Sequence, residues 1–262
     1  MHTNTSFASC QKSLCLSLFL SLAGIHTAAA DTLGVYLGYG NWQQDISGQA
    51  ALAGNSGAPS IIDLSSDLGH ESSDGMMIWA AFEHPVPILP NIRIGRTEAK
   101  SSASQTLTRN INFGDVTFPS GTNTSSRFDI SHNDYILYYE VLDNWFELDL
   151  GIDVKQFDGD VAIAGLNQEE SETFDGFIPF IYTSMNFNLP LTGLKVGGEF
   201  SGISANGAKA QDYRVRIAYE FSFGLGLEAG QRYMNYKVDD SDEEFNGDVE
   251  FKGSYVAATF HF

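Results

Sequence analysis

The feature that most restricts this chain is an alternation of apolar and polar residues with period two. It recurs in strand-length segments along most of the sequence. Tyr213, Val215, Ile217, Tyr219 and Phe221 fall on one face of a strand, with Asp212, Arg214, Arg216, Ala218 and Glu220 on the other. Phe146, Leu148, Leu150, Ile152 and Val154 oppose Glu147, Asp149, Gly151, Asp153 and Lys155 in the same way. Segments of ten or more residues suit a bilayer crossing, whereas strands of soluble proteins cluster near five or six. No run of eighteen apolar residues is present to make a membrane helix, so any crossing falls to strands. Spanning strands must close on themselves, because hydrocarbon tolerates no open sheet edge.

The first thirty residues stand apart from this pattern. Lys12 gives a weakly basic start, Leu14 to Ile25 is an apolar run too short to span, and Ala28-Ala29-Ala30 offers a cleavage site before Asp31. Residues 1–30 are expected to be a secretory signal peptide and 31–262 a single barrel domain. Cys10 and Cys15 leave with the signal, so the mature chain is expected to hold no disulfide or thiolate metal site. The whole chain carries 14 Lys and Arg against 33 Asp and Glu, a formal net charge of −19. That sign argues against nucleic acid as a partner, since phosphate binding needs basic patches.

Four short turns punctuate the segments: Pro85 to Pro90, Asp143-Asn144, Pro190 to Gly193, and Ser222 to Gly224. Five longer polar stretches lie near 44–73, 101–128, 158–173, 202–211 and 239–248. Nine connections predict ten strands, with eight or twelve as alternatives, in an all-β, up-and-down antiparallel transmembrane barrel. In the third strand the alternation fails after Ile94, and Gly95 is expected to mark a bulge. Trp42, Phe82, Trp145, Phe187, Phe221, Tyr233 and Phe260 recur near strand ends, as interfacial girdles do.

On this pattern the polar faces line the lumen. They supply a charge network of Glu83, Arg93, Glu140, Glu147, Asp149, Lys195, Glu199, Arg214, Arg216, Glu220, Glu228 and Arg232. Buried arginines need carboxylates, and Arg214, Arg216 and Arg232 are expected to find them among Asp149, Glu199, Glu220 and Glu228. A barrel of this size has little free interior. The expectation is a plugged lumen rather than a porin channel, with a narrow solute path as the competing outcome.

Acids cluster at Asp158, Asp160, Glu169, Glu170, Glu172 and Asp175, and again at Asp239, Asp240, Asp242, Glu243, Glu244 and Asp248. Solvated, mutually repelling loops explain them; loosely held divalent cations are the alternative. Phe245 stands where a calcium loop of the EF-hand type needs glycine, so no defined metal site follows. Catalysis has one weak candidate, His132 beside Ser131, Asp129 and Asp134. Neighbours in a strand point to opposite faces, which keeps Ser131 from His132. No catalytic residue and no cofactor is assigned.

The last strand reads Val249 to Phe262 and ends on an aromatic residue, with Phe262, Phe260, Ala258 and Val256 on one face. It resembles the terminal strand of bacterial outer-membrane barrels, whose final Phe is an assembly signal; Phe260 and Phe262 take that role here. With the Ala28-Ala29-Ala30 signal and the opening Leu33-Gly34-Val35-Tyr36, the chain resembles the small, uncharacterised outer-membrane barrels of Gram-negative proteobacteria. The resemblance implies the outer membrane as location and a structural or surface-interaction role. It also implies lipid, lipopolysaccharide and the barrel-assembly machinery as partners. An outer-membrane enzyme is the alternative. The chain is similar to the ten-stranded omptin proteases in strand number and acidic outer loops, with Asp158-Gly159-Asp160 in place of one catalytic pair and Asp129 to His132 mis-spaced for the other.

Overall fold

The computed structural model describes residues 33–262 apart from 56, 206–207 and 239–244, so the expected signal peptide lies outside the described residues. Ten strands close an antiparallel barrel. They are β1 (Gly34–Leu52), β3 (Ser72–Glu83), β4 (Asn91–Thr97), β9 (His132–Leu142), β10 (Phe146–Gly165), β11 (Gln168–Asn188), β12 (Leu194–Ala205), β13 (Ala208–Glu220), β14 (Leu225–Val238) and β15 (Phe245–His261). Each pairs with its neighbour in sequence, and β15 pairs with β1 from Tyr36↔His261 to Leu52↔Phe245. The Phe262 amide donates to the Val35 carbonyl at 3.0 Å and extends that seam. No edge is left at this level of the sheet.

Five shorter strands sit at the long-hairpin end: β2 (Ile62–Asp63), β5 (Lys100–Thr106), β6 (Ile111–Phe113), β7 (Val116–Phe118) and β8 (Asn123–Asp129). β5 continues β4 after a break at Glu98-Ala99, and β8 precedes β9 across a break at Ile130-Ser131. The two breaks face each other: the Ile130 amide bonds the Ala99 carbonyl at 2.8 Å, and the Ala99 amide bonds Ser131 Oγ at 3.1 Å. Gly95 lies before this break, in regular register between Trp79 and Asp134, so the expected bulge is absent.

The stretches expected as long loops are largely strand. β10 and β11 run without interruption into a two-residue turn at Leu166-Asn167, both at left-handed φ (54° and 61°) as a type I′ hairpin requires. β1 likewise continues to Leu52. On β1 the two faces exchange character partway up. Leu37 and Tyr39 face outward opposite Gly38 and Gly40; beyond them Asn41, Gln43 and Asp45 face outward while Trp42, Ile46, Ala50 and Leu52 are buried inside. β10 makes the same exchange, from Leu150 and Ile152 outside to Phe157, Val161 and Ile163 inside. Trp42 is therefore a lumen residue, fully buried, and not part of a girdle.

The lower wall is an exposed apolar belt that includes Ile78, Ile94, Leu137, Ile181, Val215 and Val256. A belt this continuous faces lipid. The upper barrel has a polar exterior and its own apolar core. There Ile46, Met234, Phe251 and Val161 from the wall pack with Leu64 and Leu68 of the β2–β3 connection, and with Ile111, Phe113 and Phe118. Burying each such side chain contributes about 1.5–3 kcal/mol. The same chain thus folds as a membrane barrel below and a water-soluble one above.

Candidate functional site in the lumen

Between the short-turn mouth and the apolar core, two ion clusters fill the lumen. The lower is centred on Glu199 of β12. Its carboxylate accepts from Arg93 Nη1 at 2.8 Å, from Arg214 Nη2 and Nε at 2.6 and 2.9 Å, and from Arg216 Nη1. Arg216 also bonds Asn186 Oδ1 at 2.7 Å and lies 3.8 Å from Glu228, which accepts from the Tyr255 hydroxyl at 2.5 Å. The indole of Trp79 lies between the guanidinium groups of Arg93 and Arg214, 5.3 and 5.1 Å from its ring centre. Gly38 makes room for that indole, since a Cβ there would come within 2.1 Å of it.

The upper cluster inverts the pattern. Lys155 Nζ of β10 lies 2.5 Å from Asp134, 3.0 Å from Asp212 and 3.2 Å from Asp153. Arg232 holds Asp212 by two bonds of 2.6 and 2.9 Å and stacks over Trp42 at 5.1 Å. Asp153 Oδ2 accepts from Ser201 at 2.8 Å, while its Oδ1 has no hydrogen-bond partner among the described residues. Counted as ionised, three arginines against Glu199 and Glu228 leave one positive charge in excess below. Lys155 and Arg232 against three aspartates leave one negative charge above. The clusters are mutually compensating, which is what a low-dielectric site needs in order to hold this many charges.

A cavity of about 50 Å³ between them is lined by Arg93, Glu199 and Arg214 from one cluster and Asp153, Lys155 and Asp212 from the other. That is room for water and not for a solute. Above it the apolar core closes the barrel.

Of the residues expected in the network, Arg93, Glu199, Arg214, Arg216 and Glu228 come together in the lower cluster. Glu147 and Lys195 form a separate pair at 3.1 Å near the mouth. Glu83 accepts from the Tyr138 hydroxyl at 2.7 Å, Glu140 faces Asp149 across the β9–β10 ladder, and Asp149 is level with Ser184. Two expectations need correction. Arg232 pairs with Asp212 and with none of the four carboxylates proposed for it. Glu220 sits at the exposed rim, 3.6 Å from His261, outside the clusters. Asp134, Asp153, Lys155 and Asp212 complete the site. All four fall on inward positions of the alternation, so parity could have included them.

No hydrolytic centre is assembled among the described residues. His132 Nε2 does lie 3.7 Å from Asp134, inside the upper ion cluster, but Ser131 Oγ is occupied by the Ala99 amide, His132 Nδ1 lies 3.0 Å from the Ile130 carbonyl, and Asp129 accepts from the Ser131 amide at 2.8 Å. Asp158 and Asp160 face outward from β10, Asp160 paired with Arg127 at 2.6 Å, so they do not look across the mouth. The acids of the β10–β11 hairpin are spread along its strands, and among the described residues no group of three metal-ligating side chains is formed. Asp239 to Glu244 lie outside the described residues.

No protein-family model and no curated protein matches the chain. Among solved structures, the outer membrane protease OmpT from Escherichia coli is 10% identical, with a TM-score of 0.48 and coverage of 91% of this chain and 99% of that chain. Ail, the attachment invasion locus protein of Yersinia pestis, is 9% identical, with a TM-score of 0.39 over 88% of this chain and 100% of that chain. The transport unit of the autotransporter AIDA-I from Escherichia coli is 7% identical, with a TM-score of 0.43 over 94% and 93% of the two chains. At these identities and scores the fold rests on the strand ladders described above.

Proposed function

We propose that this chain is an integral outer-membrane barrel of a Gram-negative bacterium that acts through its outer surface, with a lumen that does not conduct. The filled lumen carries this reading: two compensating ion clusters and an apolar core occupy it in series. The exposed apolar belt and the polar-walled upper barrel support the placement, with the long hairpins on the cell surface beside lipopolysaccharide. In this reading residues 1–30 are the export signal, and Phe260 and Phe262 on the closing strand are recognised by the assembly machinery. An enzyme is disfavoured because Ser131 Oγ is taken up by the Ala99 amide and Asp158 and Asp160 face outward from β10.

Fractionation with heat-dependent gel mobility, followed by protease treatment of whole cells, tests this. Heat-modifiable protein in the outer membrane, cleaved in its hairpins from outside, is expected, with much less folded barrel for Phe262→Ser. Soluble periplasmic protein, or undiminished assembly of Phe262→Ser, would contradict it.

A further inference from the structure

Every connection at the short-turn end exposes a large apolar side chain. Ile88 is 82% exposed between β3 and β4, Trp145 59% between β9 and β10, Leu191 107% between β11 and β12, and Phe223 64% between β13 and β14. The two chain ends at the same rim add Leu33 at 62% and Phe262 at 67%. At the opposite end, among the described residues, exposed Ile61 and Leu166 lie on separate connections, between β1 and β2 and between β10 and β11. Leu191 is the most telling of the set. Its φ of 65° is a left-handed conformation that favours Gly or Asn, and its side chain is fully exposed among the described residues. A turn facing water gains nothing from leucine there.

The ring is continuous with the belt. Trp145 meets Phe187 of the wall edge-on at 4.9 Å, Phe223 stacks on Phe221 at 5.5 Å, and Phe262 packs on Phe260 at 4.6 Å. The Ile88 carbonyl accepts from Tyr139 of the wall at 3.2 Å, which holds that turn against the barrel. We infer that this rim is itself a lipid-binding surface, its turns seated in the headgroup–acyl boundary of a phospholipid leaflet. The inference rests on the outer-membrane reading above and adds a depth to it. The barrel sits low, its lower mouth opens at headgroup level, and the polar upper barrel stands clear on the other side. Side chains with an apolar body are stabilised at that boundary, and six around one rim fix both depth and tilt.

Single-cysteine variants test this, because the only cysteines, Cys10 and Cys15, fall in the expected signal peptide. Leu191→Cys, with Ile88→Cys as a second rim position, is compared with Val215→Cys on the belt and Asn167→Cys at the far hairpin. Each carries an environment-sensitive fluorophore in phosphatidylcholine vesicles, with heat-dependent mobility confirming the barrel. Quenching by brominated acyl chains is expected at positions 215, 191 and 88. Iodide should quench position 167 several-fold more than either rim position. Iodide access at 191 and 88 equal to that at 167, with 215 still quenched by lipid, would overturn the inference and leave the barrel's placement standing. Iodide access at 215 as well would overturn both. Rim positions shielded in native envelopes but open to iodide in vesicles would point to a protein partner, and would also overturn it.

Discussion

The two halves of this lumen are closed by opposite chemistry. Below, where lipid surrounds the wall, the interior holds Glu199 among three arginines and Lys155 among three aspartates. Above, where water surrounds the wall, it holds Trp42, Ile46, Phe251 and Val161. Each interior is the reverse of its surroundings. In lipid the outer face must be apolar, which leaves charge as the material for the inside, stable only when compensated. In water burying apolar surface drives folding, and the ordinary soluble pattern returns. On β1 the exchange falls between Tyr39 and Trp42, where the outer face turns from apolar to polar.

The lower half is most vulnerable at Glu199. Glu199→Leu leaves Arg93, Arg214 and Arg216 without their shared carboxylate, and should cost about 3–5 kcal/mol or prevent assembly. Arg216→Ala should cost less, since Glu199 keeps two partners. Urea unfolding in lipid vesicles compares them, and equal costs would mean that Glu199 is not the hub on which the three arginines depend.

Phe251→Ala removes a fully buried ring from the upper core and should cost about 3–5 kcal/mol by cavity formation. The loss should fall on the upper barrel alone, read as faster proteolysis of the long hairpins with the lipid-embedded strands still protected. Loss of protection in both halves together would show that they are one cooperative unit.

Two substitutions on the outer face of β1 locate the exchange of faces. Leu37→Arg, below the exchange, should cost about 2–4 kcal/mol, and Gln43→Arg, above it, within about 0.5 kcal/mol. Similar costs for both would erase the boundary.

The smallest effect is a pH dependence at the long-hairpin end of the upper barrel. His70 is buried, with Nδ1 2.8 Å from Ser101 Oγ and Nε2 3.0 Å from Ser126 Oγ. Burial pushes its imidazole down from 6.5 to about 4. The unfolded upper barrel therefore binds more protons between those values, so the contribution of His70 to its stability is complete above pH 6.5 and falls as pH drops toward 4. At pH 5.5 the loss should be about 1.4 kcal/mol. Hydrogen exchange of the 100–129 hairpin should quicken by that amount in the wild type and not in His70→Gln.

Much of this was legible in the residues. Strand number, closure by the terminal strand and the inward placement of Arg214 and Arg216 follow from period two and turn chemistry. The upper strands were hidden by the exchange itself. On β1 the apolar set moves from Val35, Leu37 and Tyr39 to Trp42, Ile46 and Ala50, so a search for one apolar face ends at Tyr39 and leaves a loop. The partner of Arg232 was hidden for another reason. Alternation says which residues point inward, but which of them meet across the lumen depends on strand stagger and tilt. Lys155 and Asp212 are 57 residues apart and join only once the barrel closes.

Single-channel recording of the purified wild-type barrel in planar bilayers asks whether the lumen is shut along its length. Two compensating clusters around a cavity of about 50 Å³, beneath an apolar core, predict little or no steady conductance. Large, steady wild-type currents would contradict the account.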